Sequence, residues 1–265
     1  MIQDIYPHIY HNEYHPHNPH INDIIFSYKD SNVLVKKDNS FYTYQEVNPN
    51  QIFIYLFEID DITFYIGEVP SDSITLSIKT MRTYTPHELA FACITGHQLY
   101  NWMKHNVYCG ACGSKMEQDK VERAMRCPVC RNIVYPKLSP AVIVGILNNK
   151  DEILITHYAS NFYVHDALVA GYAEIGETIE ETVHREVKEE TGLNVKNLRY
   201  YKSQPWSFSE TLLFGFFCEV DGDDTIIMDQ NELKYAAWHN KKDHFDLPDE
   251  ASLTSEMIHI FQNSK

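Results

Sequence analysis

The sequence predicts an α+β protein in three parts: an N-terminal mainly-β domain, a small metal ribbon, and a C-terminal layered domain. Three observations predict it. Two Cys-x-x-Cys pairs, Cys109/Cys112 and Cys127/Cys130, divide the chain near its middle. Ahead of them lie short runs rich in Ile, Phe and Tyr, broken by Asp, Asn, Pro and Gly, which is the pattern of strands and turns. Behind them, strand-like runs flank one strongly acidic helix and a second helix closes the chain, the composition of a layered domain. The expected boundaries are 1–104 for the N-terminal α+β domain, 105–135 for the ribbon and 136–265 for the last domain.

In chain order, His8, His11, His15, His17 and His20 crowd a Pro- and Asn-rich opening stretch. A metal site is conceivable there, but a compositional cluster reads better as polar surface loop. The runs NVLVKK, SFYTY, QIFIYLFEI, ITFYIGEV and ITLSIK then read as one antiparallel sheet. Thr85-Pro86-His87-Glu88 has the form of a capping box with Pro at the first helical position. Leu89, Cys93, Gly96, Leu99, Tyr100 and Met103 follow at helical spacing, so this helix is expected to bury one side. Cys93 and Cys218 sit in apolar surroundings and read as buried reduced thiols.

The four remaining cysteines have zinc-ribbon spacing, with two residues inside each pair and fourteen between the pairs. Four thiolates close a tetrahedral site and leave no position for water, so the zinc is expected to be structural, one per chain. The intervening GSKMEQDKVERAMR is mixed in charge and has no aromatic residue to stack on a base.

After the ribbon, AVIVGIL and EILITH read as two strands joined by a turn at Asn148-Asn149-Lys150. DALVA, residues 166–170, is a short strand ending at Gly171. NLRYYKSQPW, TLLFGFFCEV and YAAWHN are further strands, and Leu253 to about Phe261 is the last helix.

The acidic helix lies in GYAEIGETIEETVHREVKEETGL, residues 171–193. Thr178 and Glu181 form a capping box, and Gly192 suits the C-terminal end. Glu186, Glu189 and Glu190 fall at i, i+3 and i+4, on one helix face. Three adjacent carboxylates repel one another unless a cation sits among them, and a hard divalent ion prefers oxygen ligands. Gly171 and Gly176 bracket a loop leading to the helix N-terminus, where free N–H groups favour anions. Together these features describe a site for phosphates held through a cation.

Composition narrows the classes. The chain has 265 residues, 44% of them hydrophobic, and a net charge of −15. That balance argues against a protein that grips nucleic acid through a basic surface. No leader is apparent at the N-terminus, and no apolar run approaches the roughly 20 residues of a membrane helix. A cytoplasmic protein is expected, with no membrane partner.

The acidic stretch resembles the Nudix box, Gly-x5-Glu-x7-Arg-Glu-(apolar)-x-Glu-Glu-x-Gly-(apolar). Its positions fall on Gly171, Glu177, Arg185, Glu186, Val187, Glu189, Glu190, Gly192 and Leu193 without a departure. Residues 203–211, SQPWSFSET, are similar to the SQPWPFPxS motif of the NADH pyrophosphatase subfamily of Nudix hydrolases. That subfamily also carries an N-terminal domain, a four-cysteine ribbon and a Tyr-Pro-basic-x-x-Pro stretch, here Tyr135 to Pro140. The departures are Ser207 and Ser209 for the two later prolines, Thr211 for the final Ser, and Lys137 where Arg is usual. Losing two prolines leaves the loop less constrained, which loosens the expected hold on the nucleotide.

The resemblance implies a Nudix α/β/α sandwich and Mg²⁺- or Mn²⁺-dependent hydrolysis of a pyrophosphate. NADH or NAD would give NMNH or NMN plus AMP, and the NAD cap of an RNA presents the same bond. By motif position, Glu186 and Glu190 are metal ligands and Glu189 a ligand or the water-activating base. The backbone carbonyl of Ala170 and the later acid Glu232 complete the ligand set. Arg185 orients the acids by ion pairing. The substrate candidates are Tyr135, Tyr172, Gln204, Pro205, Trp206, Ser207, Phe208, Ser209, Glu210, Thr211, Thr254 and Arg82.

From the residues alone, Trp206 and Phe208 flank a turn and offer faces for a base, with Gln204 as a hydrogen-bonding partner; the competing reading packs Trp206 in the core. The subfamily is homodimeric with its base pocket at the subunit interface. Two alternatives stand beside this reading. One is a Nudix hydrolase of another substrate, such as ADP-ribose or a dinucleoside polyphosphate. The other is a non-catalytic nucleotide-sensing or RNA-binding module, which would be expected to lose box acids, and none is lost here.

Overall fold

A computed structural model describes residues 1–159, 164–247 and 249–264. The chain falls into two units. One comprises residues 2–137 with 207–210, and the other residue 1 with 138–206 and 211–265.

The first unit opens with eight short strands: β1 (Tyr10–His11), β2 (Ile24–Phe26), β3 (Tyr28–Lys29), β4 (Asn32–Val35), β5 (Tyr42–Thr43), β6 (Ile54–Ile59), β7 (Ile62–Ile66) and β8 (Ile74–Ser77). They form two sheets, ordered β1-β6-β7-β2-β5 and β3-β4-β8. The expectation of one antiparallel sheet is corrected in both respects, because β2 also runs parallel to β7, with Ile25 opposite Tyr65. Alternation in a short run identifies a strand but does not encode which distant strand it meets or in which direction. Phe26, Phe57 and Phe64 are fully or almost fully buried, with the Phe64 ring stacked on Phe26 and tilted against Phe57.

Helix α1 (His87–His105) follows. Its N-cap is Pro86, with no side-chain cap, so the capping box expected at Thr85 and Glu88 does not form. The helix starts one residue later than that motif requires, and Thr85 lies outside it. Nor is the helix buried on one side only: Ala90 to Ile94 are buried in succession, with Gly96, His97, Leu99 and Trp102. Its middle turns are enclosed, and a backbone carbonyl shows how closely. Cys93 O accepts the Tyr28 hydroxyl at 2.8 Å, and a Cβ on Gly96 would lie 2.6 Å from the same hydroxyl oxygen. Both apolar cysteines, Cys93 and Cys218, are buried as expected. The ribbon closes this unit with β9 (Glu117–Gln118), β10 (Met125–Arg126) and β11 (Ile133–Val134) in an antiparallel three-stranded sheet.

The second unit is the layered domain. Its strands are β12 (Ser139–Leu147), β13 (Ile153–Tyr158), β14 (Val169–Tyr172), β15 (Val195–Trp206), β16 (Thr211–Val220) and β17 (Leu233–His239). The sheet runs β15-β16-β12-β13-β17, with β14 also on β12. β12 lies parallel to β16, Val142 opposite Phe214, and antiparallel to β14, Val142 opposite Gly171.

Alternation along β12 builds two cores. Val142, Val144 and Ile146 pack with Val183 and Val187 of helix α2 (Ile179–Thr191). Ile143 faces the other way, into a core with Leu253, Met257, Ile258 and Phe261 of helix α3 (Leu253–Asn263). One sheet between two helices is the α/β/α sandwich expected. The close approach of α3 is visible at Gly215, where a Cβ would sit 2.9 Å from the Met257 sulfur. Among the described residues no helix is long and apolar enough to cross a membrane.

Candidate active site and metal centre

The ribbon is built from two similar turns. Cys109 O accepts from the Gly113 N–H at 2.8 Å, and Cys127 O from the Arg131 N–H at 3.0 Å. Each turn needs a left-handed residue, Gly113 at φ 74° and Arg131 at φ 64°. Glycine takes that conformation freely, whereas arginine adopts it at a cost of about 1–2 kcal/mol. The Sγ atoms of Cys109 and Cys130 lie 3.5 Å apart, as do those of Cys112 and Cys127. All four sulfurs fall within 4.8 Å of one another. Bonds of about 2.3 Å to a tetrahedral zinc put sulfurs close to that separation. The residues fit a structural zinc, and all four would be used by it.

The acidic face of α2 is different. Thr178 caps the helix, accepting from the Glu181 N–H while the Glu181 carboxylate accepts from Thr178, so the predicted capping box forms. Gly192 ends it at φ 74°. Arg185 then ties the acids down. Its Nε lies 2.5 Å from Glu177 and its Nη1 2.7 Å from Glu186 and 3.0 Å from Glu189. Its Nη2 donates to the Tyr172 carbonyl at 2.8 Å. The guanidinium beside Glu177 holds that carboxyl down at about 2. Glu177 was given no role from the sequence, although its fixed place in the box was the signal that could have found it.

Glu190 has no such partner. It is 2% exposed, and its Oε2 is buried with no hydrogen bond. Burial, then the nearby charges of Glu186 and Glu232, push its pKa up to about 8. Glu186 is also raised, by burial first, against the pull of Arg185. Glu189 is the most open of the three, its side chain 59% exposed. A buried carboxylate oxygen without a donor, among like charges, is what a site for an oxygen-seeking cation looks like before the cation is added.

The backbone prepares this site. Gly171 of β14 lies against the Glu186 carboxylate so closely that a Cβ there would fall 2.0 Å from its Cδ. Ala170, the expected carbonyl ligand, precedes it, and its backbone favours the charged form of Glu190. Glu232 is brought to the acids from another part of the chain. Its N–H donates to Asp229 O at 3.2 Å and its carbonyl accepts from Ala159 at 2.7 Å, while Asp229 N–H reaches Glu190 O at 3.0 Å.

The candidate substrate residues are dispersed. In the layered domain, the Tyr172 hydroxyl meets the Thr211 hydroxyl at 3.2 Å. Thr254 opens α3 and is half-buried. Pro205 and Trp206 end β15, both half-buried, so the Trp206 ring is not wholly core. Gln204 differs from expectation: it is fully buried, its amide donating to Ala251 O at 2.9 Å and accepting from the Leu253 N–H at 2.7 Å. Both ends of that amide hold the approach to α3 in place, so in this structure it does not face a base.

Ser207, Phe208, Ser209 and Glu210 pack with the first unit. There the Arg82 guanidinium lies 5.9 Å from the centre of the Phe208 ring, and Lys137 lies 3.6 Å from Glu210. Ser207 is buried and Ser209 exposed. Tyr135 is exposed, its hydroxyl donating to Glu122 at 2.8 Å.

With fold and geometry established, comparison with known proteins identifies the class. Residues 137–260 match the NUDIX domain, and residues 104–135 match the NADH pyrophosphatase zinc ribbon domain. The chain therefore carries a region similar to the Nudix domain, with a region similar to that zinc ribbon ahead of it. It is 41% identical over 163 residues to proteins named NAD-capped RNA hydrolase NudC from Escherichia coli, Shigella boydii and Escherichia fergusonii. The alignment covers 62% of this chain and 63% of each relative, so it spans a little under two thirds of their length. Among solved structures it is similar to a NUDIX hydrolase from Nitrosomonas europaea, with a TM-score of 0.47 and 20% identity over 59% of this chain and 91% of that one.

Proposed function

We propose that this chain hydrolyses the pyrophosphate bond of NADH and NAD, giving NMNH or NMN plus AMP. The NAD cap of RNA, which presents the same bond, is a second substrate in this reading. The observation that carries the hydrolytic part is the buried, unpartnered oxygen of Glu190 beside Glu186 and Glu232. An all-oxygen donor set of this kind suits Mg²⁺ or Mn²⁺. Glu186, Glu190, Glu232 and the Ala170 carbonyl would hold the ion. When bound, such an ion neutralises pyrophosphate charge and makes a bound water more acidic.

The chain's own groups do the rest. Arg185 fixes Glu177, Glu186 and Glu189 relative to β14 through the contacts described above. Glu189 is the open acid of the face and takes the proton of the attacking water. That water forms a new P–O bond, and the bond to the bridging oxygen breaks. Trp206 offers an aromatic face to a base, worth about 1–3 kcal/mol of stacking. Tyr172, Thr211 and Thr254 of the same domain supply further contacts.

The substrate class is supported by the names of the relatives and of the ribbon family. Division into 1–104, 105–135 and 136–265, a homodimer with the base pocket at its interface, and a cytoplasmic location belong to the same proposal.

Product analysis on NADH, NAD, ADP-ribose and NAD-capped RNA, with Mg²⁺ or Mn²⁺, tests it. NMNH and AMP from NADH are expected. Release of nicotinamide would mean cleavage at the glycosidic bond and overturn the reading, and ADP-ribose turned over much faster than NADH would reassign the substrate.

A further inference from the structure

The histidine-rich opening stretch has a structure that its composition does not reveal. His17 and His20 converge on Asp23, and one ligand atom from each of the three lies within 4.8 Å of the others. We propose that His17, His20 and Asp23 form a binding site for a divalent transition metal of the zinc type, separate from the ribbon cysteines and from the acidic face of α2.

The three side chains are prepared to different degrees. Asp23 is the fixed member. It is 2% exposed, and its carboxylate is held by the Thr63 N–H at 3.1 Å and the His20 N–H at 2.6 Å. A carboxylate offers about four lone-pair positions, so these bonds orient it without exhausting it. His17 is fixed in tautomer. Its Nδ1 lies 2.9 Å from the His15 carbonyl oxygen, which can only accept, so Nδ1 carries the proton and Nε2 keeps a lone pair.

A histidine whose other nitrogen donates to a backbone carbonyl is the usual arrangement of a metal ligand. The Nε2 lone pair makes a long contact of 3.3 Å to the Thr63 hydroxyl. His20 is the exposed member: its side chain is 78% exposed, and its Nδ1 already lies 3.7 Å from Asp23 Oδ2. Two ligands on a tetrahedral ion at about 2.1 Å are separated by nearly that distance, so a small rotation of an exposed ring closes the set.

Two imidazoles and one carboxylate are a borderline donor set. They suit Zn²⁺, and Co²⁺ as its spectroscopic substitute, better than the Mg²⁺ preferred by an all-oxygen site. Three protein ligands leave a fourth position to water. The site would pin the loop before β2 to that strand and, through Thr63, to β7, because Asp23 and Thr63 are already bonded.

The test uses the full chain holding its ribbon zinc, in excess Mg²⁺ to occupy the acidic face. Titration with Zn²⁺ is expected to show a second equivalent. Titration with Co²⁺ should give visible ligand-field bands without the thiolate charge-transfer absorption that a cysteine site produces. His20→Ala and His17→Gln should each weaken this second equivalent by at least about tenfold, while the ribbon zinc stays. His15→Ala, at a neighbouring exposed histidine, should leave it unchanged. The proposal is overturned if the wild type takes up only the ribbon equivalent, or if His20→Ala and His17→Gln bind as the wild type does. Equal loss in His15→Ala would also overturn it, by assigning the metal to the histidine-rich stretch at large.

Discussion

The cysteine ribbon and the acidic face of α2 are both arrangements that ask for a cation, and they ask in opposite ways. In the ribbon, two left-handed turns aim four sulfurs at one point, 3.5 Å apart in pairs. The site would use all its ligands on one ion and have nothing left over for a substrate. On α2, the three box acids are treated unequally. Glu186 and Glu189 share Arg185, while Glu190 is buried with an oxygen that bonds to nothing. A closed site converts metal binding into folding free energy. A site that keeps an unsatisfied carboxyl oxygen leaves a donor for an ion that would also touch substrate.

The comparison can be broken at either end. Breaking the ribbon should have the largest effect. Cys109→Ser is expected to lose the zinc on purification and lower the Tm by about 10 °C or more, since structural zinc sites contribute many kcal/mol to folding. Elemental analysis and calorimetry measure both, and a variant that keeps its Tm without zinc would remove the structural role.

Breaking the acidic face should spare the fold and stop the chemistry. Glu190→Gln is expected to lower kcat on NADH by at least about a hundredfold, roughly 2.7 kcal/mol in barrier. A chelator should abolish wild-type activity in the same assay while the ribbon zinc remains. Full activity in Glu190→Gln would take this residue out of the mechanism.

A subtler break is Gly171→Ala. Its methyl would fall 2.0 Å from Glu186 Cδ, so the carboxylate must move away from β14. Since about 1 Å of misplacement costs up to a hundredfold, kcat should fall about tenfold or more while the Tm changes little. A normal kcat would show that Glu186 can relocate without loss.

How much of this was legible in the chain depends on the range of the interaction. The capping box, the end at Gly192 and the shared face of Glu186, Glu189 and Glu190 are local, and all appear as read. The two-sided strand β12 was legible as a strand, and its alternation fixed which residues meet α2 and which meet α3.

Apart from the capping box expected at Thr85 and Glu88, a local motif whose helix starts one residue later, what was not legible is tertiary. Gln204 looked free to meet a base, but its amide is committed to Ala251 and Leu253, some fifty residues away. β2 lies parallel to β7 because of a return path that no short run of residues specifies. The histidines at 17 and 20 read as polar loop because their crowding is only compositional; the burial of Asp23 against Thr63, forty residues away, is what anchors the place where they meet. The box glycine Gly171 was read as a loop residue, and the structure shows it instead making room for a carboxylate.

The smallest expected effect sharpens the contrast most directly, because it separates stability from activity within one residue. In the metal-free protein, Glu190 holds its proton up to a pH of about 8, whereas an ordinary glutamate releases it near 4.5. Between those values the unfolded chain gives up a proton that the folded chain keeps. By linkage, stability therefore falls as pH rises through that window, and the loss is complete above about 8. Glutamine cannot ionise, so Glu190→Gln removes this slope.

The chelated variant should match the chelated wild type at pH 4.5 and melt at least about 2 °C higher at pH 8, a shift corresponding to about 0.5–1 kcal/mol or more in a chain of this size. Added Mg²⁺ or Mn²⁺ should raise the Tm of the wild type and leave that of Glu190→Gln nearly unchanged, since the variant lacks the charge that the ion would meet. Calorimetry at the two pH values, with and without the ion, reads all four states. Parallel Tm curves for wild type and variant across the whole range would show that Glu190 is already ionised without a cation. The acidic face would then resemble the ribbon in being satisfied by its own residues, and the contrast drawn between the two sites would fail.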